Sequence, residues 1–424
     1  KAAGANIVEF DEKADIYIVN TCSVTNIADK KSRQMLHRAR KMNPDGIVIA
    51  AGCYVQSARE ILEQDEAIDI VISNNKKKSI TEIVNDYINV RNNEKNAPGK
   101  DHEAMEYFVD ISRETEYEEM GGHVPVGHTR AYVKIQDGCN QFCSYCIIPY
   151  VRGRIRSRSQ EAILAEVSEL AEAGIKEVVL TGIHISSYGK DKNNEGALIE
   201  LIEAISKIKG IKRIRLGSLE PGIITEEFVE RISSNSKVCP HFHLSLQSGC
   251  DSVLKRMNRK YTCEQYFEKC DMLRKAYKSP ALTTDVIVGF PGETEEEFAE
   301  TVRYLTELNL YEMHIFKYSP RKGTVAAAMK EQVAPEIKNE RSDVLLKLAH
   351  DNKTAYEAQF EGCELEVLVE EVVKKDNKTY LRGHTERYMD ILIDVGDISM
   401  PESFVNSFVY VTYTQNGGNL PLLL

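Results

Sequence analysis

The chain has 424 residues, of which 42% are hydrophobic and 28% charged, with a net charge of -11 and a pI near 5.6. That length fills two or three domains, and no apolar run approaches the roughly 20 residues needed to cross a bilayer. The acidic balance excludes indiscriminate polyanion binding, so any nucleic-acid contact must rest on local basic patches; a soluble, cytoplasmic protein with reduced cysteines is expected.

The chain opens with Lys1, and "KAAGANIVEF" reads as the last turn of a helix, a cap at Gly4 and a strand entry, so a truncated N-terminus is inferred. "DIYIVN", "GIVIAAG" and "AIDIVIS" are short β-rich runs, and the helical "NIADKKSRQMLHRARKM" lies between the first two. Strands alternating with helices predict a parallel sheet for residues 1–92. Cys22 follows the first strand and Cys53 the second. Ligands of open α/β sheets gather at the carboxyl ends of strands, so the two thiols are expected to approach each other there. The lysine run Lys76 to Lys78 reads as a solvated helix start. Residues 93–129 are polar and broken by Pro98, Gly99, Gly121, Gly122 and Pro125, which describes a linker with a short strand at "EYFVDI".

From residue 130 to 356 a strand-helix rhythm repeats six times. The strands are "AYVKIQ", "EVVLTG", "RIRLGS", "HFHLSLQ", "TTDVIVG" and "YEMHIFKY". Ser159 caps one intervening helix, and Thr262 with Gln265 and Thr294 with Glu297 make capping-box patterns for two more. Six successive βα units predict a partial parallel (β/α)6 barrel with its functional groups at the strand C-termini. In residues 357–424 the period changes: "CELEVLVEEVV", "KTYLRGHT", "MDILIDVG" and "SFVYVTYT" are β runs with turns between them, a small all-β barrel. From Glu361 onward it carries 11 acidic and 5 basic residues, the wrong sign for a generic nucleic-acid clamp.

Cys139, Cys143 and Cys146 follow the first barrel strand in "DGCNQFCSYC". Three thiolates anchor an iron-sulfur cube and leave its fourth iron open to a small molecule, whereas four would make an electron carrier. The rival is structural zinc completed by a distant residue such as His128, although no second C-x2-C occurs. Arg152, Arg154, Arg156 and Arg158 alternate immediately afterwards, as phosphate contacts or as a salt-bridged face. His241 and His243 share one side of a strand, where structural or hydrogen-bonding roles outweigh ligation. Cys239, Cys250, Cys263, Cys270 and Cys363 read as packing residues. "VGFPGET" lacks the lysine and spacing of a P-loop.

The C-x3-C-x2-C spacing, with Tyr145 before its last cysteine, resembles the radical S-adenosylmethionine (SAM) enzymes. With "NTCSVTN", "AGCYVQ", "HLSLQSGCDSVLKRMNRKY", "DVIVGFPGET" and "YSPRKGT" in this order, the chain resembles the methylthiotransferases, more in the wording of the branch acting on 6-threonylcarbamoyladenosine in tRNA than of the isopentenyladenosine branch. The resemblance implies an α/β multidomain protein: an N-terminal α/β domain, a central radical SAM partial barrel and a C-terminal TRAM barrel. It implies two 4Fe-4S clusters, one on Cys139, Cys143 and Cys146 and an auxiliary one on Cys22 and Cys53; the family's third auxiliary cysteine lies upstream of Cys22 and has no counterpart in this sequence, so an incomplete auxiliary site is expected. It implies SAM contacts near Tyr145, Gly182, Ser218, Glu220 and Gln247, although polar residues at strand ends also serve as caps. The partners implied are tRNA, SAM and an electron donor such as flavodoxin or ferredoxin, with no membrane. The resemblance also implies a two-stage reaction, in which one SAM would methylate a sulfur on the auxiliary cluster and the other would yield the radical that removes hydrogen from adenine carbon-2. Methylthiolation of a ribosomal-protein aspartate is a rival favoured by the acidic C-terminal barrel, and an RNA-binding iron-sulfur protein without turnover is the non-enzymatic alternative.

Overall fold

The computed structural model describes residues 4–23, 25–94, 105–121, 128–376, 378–396, 400–415 and 417–419. The expected helix turn at residues 1–3 and the breakers Pro98, Gly99, Gly122 and Pro125 lie outside them. The chain forms two compact units: residues 1–121, 137–156 and 319–328 make the first, and residues 122–136, 157–318 and 329–424 the second.

In the first unit β1 (Ile16–Thr21), β2 (Ile47–Gly52), β3 (Ile70–Ile72) and β4 (Met105–Tyr107) form a parallel sheet in sequential order. The run "IVIAAG" is apolar throughout because helices cover both faces of β2. Val48 and Ala50 pack with Leu36 of the helix Asn26–Met42, while Ile47, Ile49 and Ala51 pack with Ile83 and Val84 of the helix Ile80–Glu94. Thr25 caps the first of these helices by accepting from the Ala28 amide, so its start follows from the local sequence. Gly4 has φ of 81°, as a cap requires, but the strand expected after it does not form; residues 5–9 have no regular structure.

In the second unit β5 (Arg130–Asp137) is flanked by β6 (Arg156–Ser157) and by β7 (Glu177–Gly182), which pairs with β8 (Arg213–Leu216). Strands β9 (His241–His243), β10 (Ala281–Val288) and β11 (Glu312–Lys317) form a second parallel sheet. Isolated parallel bridges from Ile214 to Val238 and from Leu219 to Leu244 join the two, so six parallel strands run in sequential order. One core lies between these strands and their helices, including Val133, Leu180, Leu216, Phe242, Leu244, Leu282 and Val286. The fourth predicted strand is shorter than expected. Regular pairing stops at His243, and Gln247 adopts φ of 79°, a left-handed conformation that no strand sustains.

β12 (Glu364–Lys375), β13 (Lys378–Thr385), β14 (Asp390–Asp394), β15 (Phe408–Thr414) and β16 (Gly417–Asn419) close a small barrel. Its interior holds Val367, Val369, Leu381, Ile391, Ile393 and Val411. All pairings are antiparallel except β14 with β16, and β16 was not foreseen. The barrel is held against the strands of the same unit by charge. Arg130 donates to Glu370 at 2.7 Å, Arg213 to Glu366 at 2.9 Å and Arg215 to the Glu386 carbonyl at 2.9 Å. Among the described residues no helix is long and apolar enough to cross a membrane.

Candidate active site

Strand register brings the first pair of cysteines together. Thr21 of β1 pairs with Gly52 of β2, so Cys22 and Cys53 leave adjacent strand ends side by side. Gly52 has φ of 104°, and a Cβ there would lie 2.4 Å from the Thr21 carbonyl, so only glycine lets the chain turn into the helix Cys53–Ser57. Cys53 is buried against Ile147 and Val151, which follow the cysteine triplet. Arg152 Nε donates to Cys53 Sγ at 3.0 Å, and its Nη1 lies 3.3 Å from Asp137. Asn74 ties this corner down by donating to the Val151 carbonyl at 2.7 Å.

The Cys22 side is fixed by a residue to which sequence reading gave no role. Arg321, in "YSPRKGT", is 6% exposed and donates to Ser23 Oγ at 2.8 Å, Asn26 Oδ1 at 2.6 Å and Asp29 Oδ2 at 2.8 Å. Ser23 is fully buried and also meets Ser57 at 2.8 Å. The "YSPR" segment thus positions the loop that carries Cys22.

The triplet sits on a loop shaped by two left-handed residues, Gly138 (φ 72°) and Phe142 (φ 51°). A Cβ on Gly138 would fall 1.8 Å from the Arg154 carbonyl, while the Cys139 amide donates to the Gly153 carbonyl at 3.0 Å and the Cys146 amide to the Cys143 carbonyl at 2.9 Å. The Gln141 amide points to Cys139 Sγ at 3.5 Å, a backbone donor on sulfur of the kind that stabilises cluster thiolates. Three thiols on one tightly turned loop with an amide aimed at one sulfur fit an iron-sulfur cluster. None of the ten cysteines is in a disulfide.

The four arginines do not form one exposed row. Arg152 is turned to Cys53. Arg156 is 1% exposed and donates to the Arg154 carbonyl, and Arg158 is 5% exposed and paired with Glu166. Only Arg154 is exposed, with its guanidinium 4.5 Å from the Phe142 ring; Phe142 in turn meets the half-exposed Tyr150 edge-on at 5.8 Å. Alternation in sequence failed as a guide because this segment is a short turn followed by the two-residue strand β6.

In the second unit Gly182 closes β7 against Gln136, whose side-chain oxygen accepts from the His184 amide at 2.8 Å. His184 Nε2 bonds Glu220 at 2.7 Å and Arg259 lies 3.4 Å from the same carboxyl. Burial pushes Glu220 up, but the His184 hydrogen bond and the Arg259 charge outweigh it and hold the carboxyl below its ordinary range. Gln247 is buried, with its amide on the Asp285 carbonyl, and Ser218 is exposed. Gln136, His184 and Arg259 were missed by sequence reading, which named Gly182, Ser218, Glu220 and Gln247 at the strand ends but not the side chains that hold them. Of the packing cysteines, Cys239 and Cys270 are buried, and burial pushes both thiols up to about 12; Cys363 is exposed. His241 stacks obliquely on Tyr388 at 5.3 Å.

A sequential, partly closed parallel barrel whose first strand runs straight into a C-x3-C-x2-C loop defines the radical SAM class, and residues 133–305 match the profile described as the Radical SAM superfamily. That superfamily brings a 4Fe-4S cluster and SAM. Residues 1–73 match Uncharacterized protein family UPF0004. The chain is 39% identical over 393 residues to the threonylcarbamoyladenosine tRNA methylthiotransferase MtaB of Bacillus subtilis, covering 92% of this chain and 85% of that protein. It is 37% identical over 388 residues to the Aquifex aeolicus protein of the same name, covering 92% of each. It is 36% identical over 422 residues to the tRNA-2-methylthio-N(6)-dimethylallyladenosine synthase of Thermoanaerobacter pseudethanolicus, covering 97% of this chain and 85% of that one. Among solved structures, the radical SAM methyltransferase TsrM of Kitasatospora setae shares the fold, with a TM-score of 0.57 at 16% identity over 75% of this chain and 66% of that one. The chain belongs to the radical SAM methylthiotransferase family.

Proposed function

We propose that this protein transfers a methylthio group to carbon-2 of N(6)-threonylcarbamoyladenosine beside the tRNA anticodon, in the cytoplasm, with reducing equivalents from a flavodoxin or ferredoxin. The observation that carries the reading is a three-thiol loop and a second pair of cysteine-bearing strand ends within one compact unit of a chain of this family. The choice of base is supported by the relatives at 37% and 39% identity that bear that substrate's name. In this reading Cys139, Cys143 and Cys146 hold the SAM cluster and Cys22 and Cys53 ligate an auxiliary 4Fe-4S cluster. Residues 1–92, 130–356 and 357–424 act as the methylthiotransferase, radical SAM and TRAM domains, with 93–129 as linker. When bound, the clusters and SAM supply the electron, the hydrogen-abstracting radical and the sulfur.

The protein's own groups position these reactants. Arg152 orients Cys53; Gly138 gives the triplet its turn. Tyr145, Gly182, Ser218, Glu220 and Gln247 are the proposed SAM contacts, and the carboxyl of Glu220, kept ionised by His184 and Arg259, offers a fixed negative charge to the cofactor's amine. Arg154, exposed beside Phe142 and Tyr150, offers a cation and aromatic faces, the combination that holds a nucleic-acid backbone and stacks its bases.

Reconstituted protein incubated with SAM, dithionite and hypomodified tRNA should yield 2-methylthio-N(6)-threonylcarbamoyladenosine in the nucleoside digest; a digest without that nucleoside overturns the assignment. Arg154→Glu should weaken tRNA binding and reduce the salt slope by about 1. Isopentenyladenosine is the second reading, favoured by the 36% identical relative named for the dimethylallyl base; tRNA carrying that base is the parallel assay. Two of the eleven acidic residues that favoured the ribosomal-protein rival, Glu366 and Glu370, are engaged within the chain by Arg213 and Arg130.

A further inference from the structure

Three neighbouring strands of the second unit carry a ligand set that contains no cysteine. The parallel register sets His243 of β9 opposite Thr283 of β10, and Asp285 of β10 opposite His314 of β11. Side chains alternate along a strand, so His243, Asp285 and His314 project from one face, away from Phe242, Leu244, Leu282, Val286 and Met313, which enter the core. Their donor atoms all lie within 4.8 Å of one another. His243 Nε2 is 3.4 Å from Asp285 Oδ2, and the rings of His243 and His314 are stacked with centroids 5.8 Å apart. Donors held at about 2.0–2.2 Å from a common ion stand roughly 3–3.5 Å from each other; the His243–Asp285 pair has that spacing, and His314 completes a set that lies within 4.8 Å.

The orientation of His243 is fixed from behind. Its Nδ1 is hydrogen-bonded at 3.0 Å to Oγ1 of Thr283, which is 2% exposed. That leaves Nε2 aimed into the cluster, where it is buried and has no hydrogen-bond partner among the described residues. A ring nitrogen held by a fixed oxygen while the other faces carboxylate and imidazole is the arrangement of a metal-ligating histidine. A simple His243–Asp285 ion pair would instead aim its N–H along the carboxylate.

We propose that His243, Asp285 and His314 bind one divalent first-row transition ion, of the Fe2+, Co2+ or Zn2+ kind. Two imidazoles and one carboxylate suit such ions, and three protein ligands leave open positions for water or an oxygen donor of a bound ligand. Solvent reaches the site, because Asp285 is 31% exposed and His314 is exposed, so the ion can exchange.

The test uses the full-length protein with its iron-sulfur sites reconstituted, dialysed to equilibrium against Co2+ and analysed for cobalt, iron and sulfide. Wild type should retain one cobalt per chain with a high-spin Co2+ resonance of nitrogen and oxygen ligation. His314→Gln and Asp285→Asn should each weaken uptake roughly tenfold or more while iron and sulfide stay at the wild-type level. His314 is exposed and Asp285→Asn nearly isosteric, so both variants should fold, which an unchanged urea midpoint verifies. Equal cobalt in wild type and both variants, or none in the wild type, overturns the proposal and leaves His243 and Asp285 as an ordinary ion pair.

Discussion

The guanidinium of Arg152 meets Cys53 across 99 residues of sequence, and that of Arg321 meets Ser23 across 298. Neither contact has a local signature, which is why a row of arginines was readable as phosphate ligands and "YSPRKGT" as a motif without a task. The cysteines were legible because spacing alone carries their chemistry; their partners were not, because a hydrogen bond to sulfur depends on where the fold returns. Partners behind a metal ligand typically govern affinity by about 10–100-fold. Arg152→Ala should therefore weaken iron retention at Cys53 by on the order of tenfold, measured as iron and sulfide per chain after a chelator wash, with Arg154→Ala unchanged as the control.

At the scale of elements, the readings that held are those with a local cause. Thr262 with Gln265 and Thr294 with Glu297 form the capping boxes their spacing predicted, and the helix Asn26–Met42 spans the predicted stretch. The fourth barrel strand was overextended because "HFHLSLQ" alternates like a strand throughout, and nothing in that pattern reveals the left-handed backbone at Gln247. Turns decide the cysteine geometry more than strands do. Gly138→Ala must place a methyl against the Arg154 carbonyl at positive φ, and should cost roughly 2 kcal/mol or more. The variant should lose iron at the triplet and with it dithionite-dependent SAM cleavage. Gly222→Ala, where an added Cβ meets nothing within 4 Å, should change neither urea midpoint nor iron content.

Across the molecule's second unit, a buried charge network couples the parallel strands to the small barrel. Glu177 is fully buried, 2.7 Å from Arg130 Nε and 2.9 Å from Arg215 Nε. Burial alone would raise its pKa, but Arg215 and Arg130 prevail and hold it down to about 2 against an ordinary 4.5. A depressed folded-state value stabilises the protein above pH 4.5, and that contribution, about 3 kcal/mol, is lost as pH falls from 4.5 towards 2. Glu177→Gln should cost about 3–5 kcal/mol at neutral pH by leaving arginines without their counter-charge. In urea titrations the gap between variant and wild type should narrow through that acid window. Such a network was invisible beforehand, since its members lie on separate strands and each reads alone as a surface residue.

The acidity of the last sixty residues then acquires a meaning inside the chain. Glu366 and Glu370 screen cations that the parallel strands present at one end, and Tyr388 covers two of them, lying 4.9 Å from Arg130 and 4.7 Å from Arg215. A fragment ending after the helix Pro335–Ala358 would uncover that electropositive floor. Such a fragment would bare Arg130, Arg213 and Arg215 with Glu177 as their shared counter-charge, and any RNA affinity gained there would describe a wound rather than the working surface.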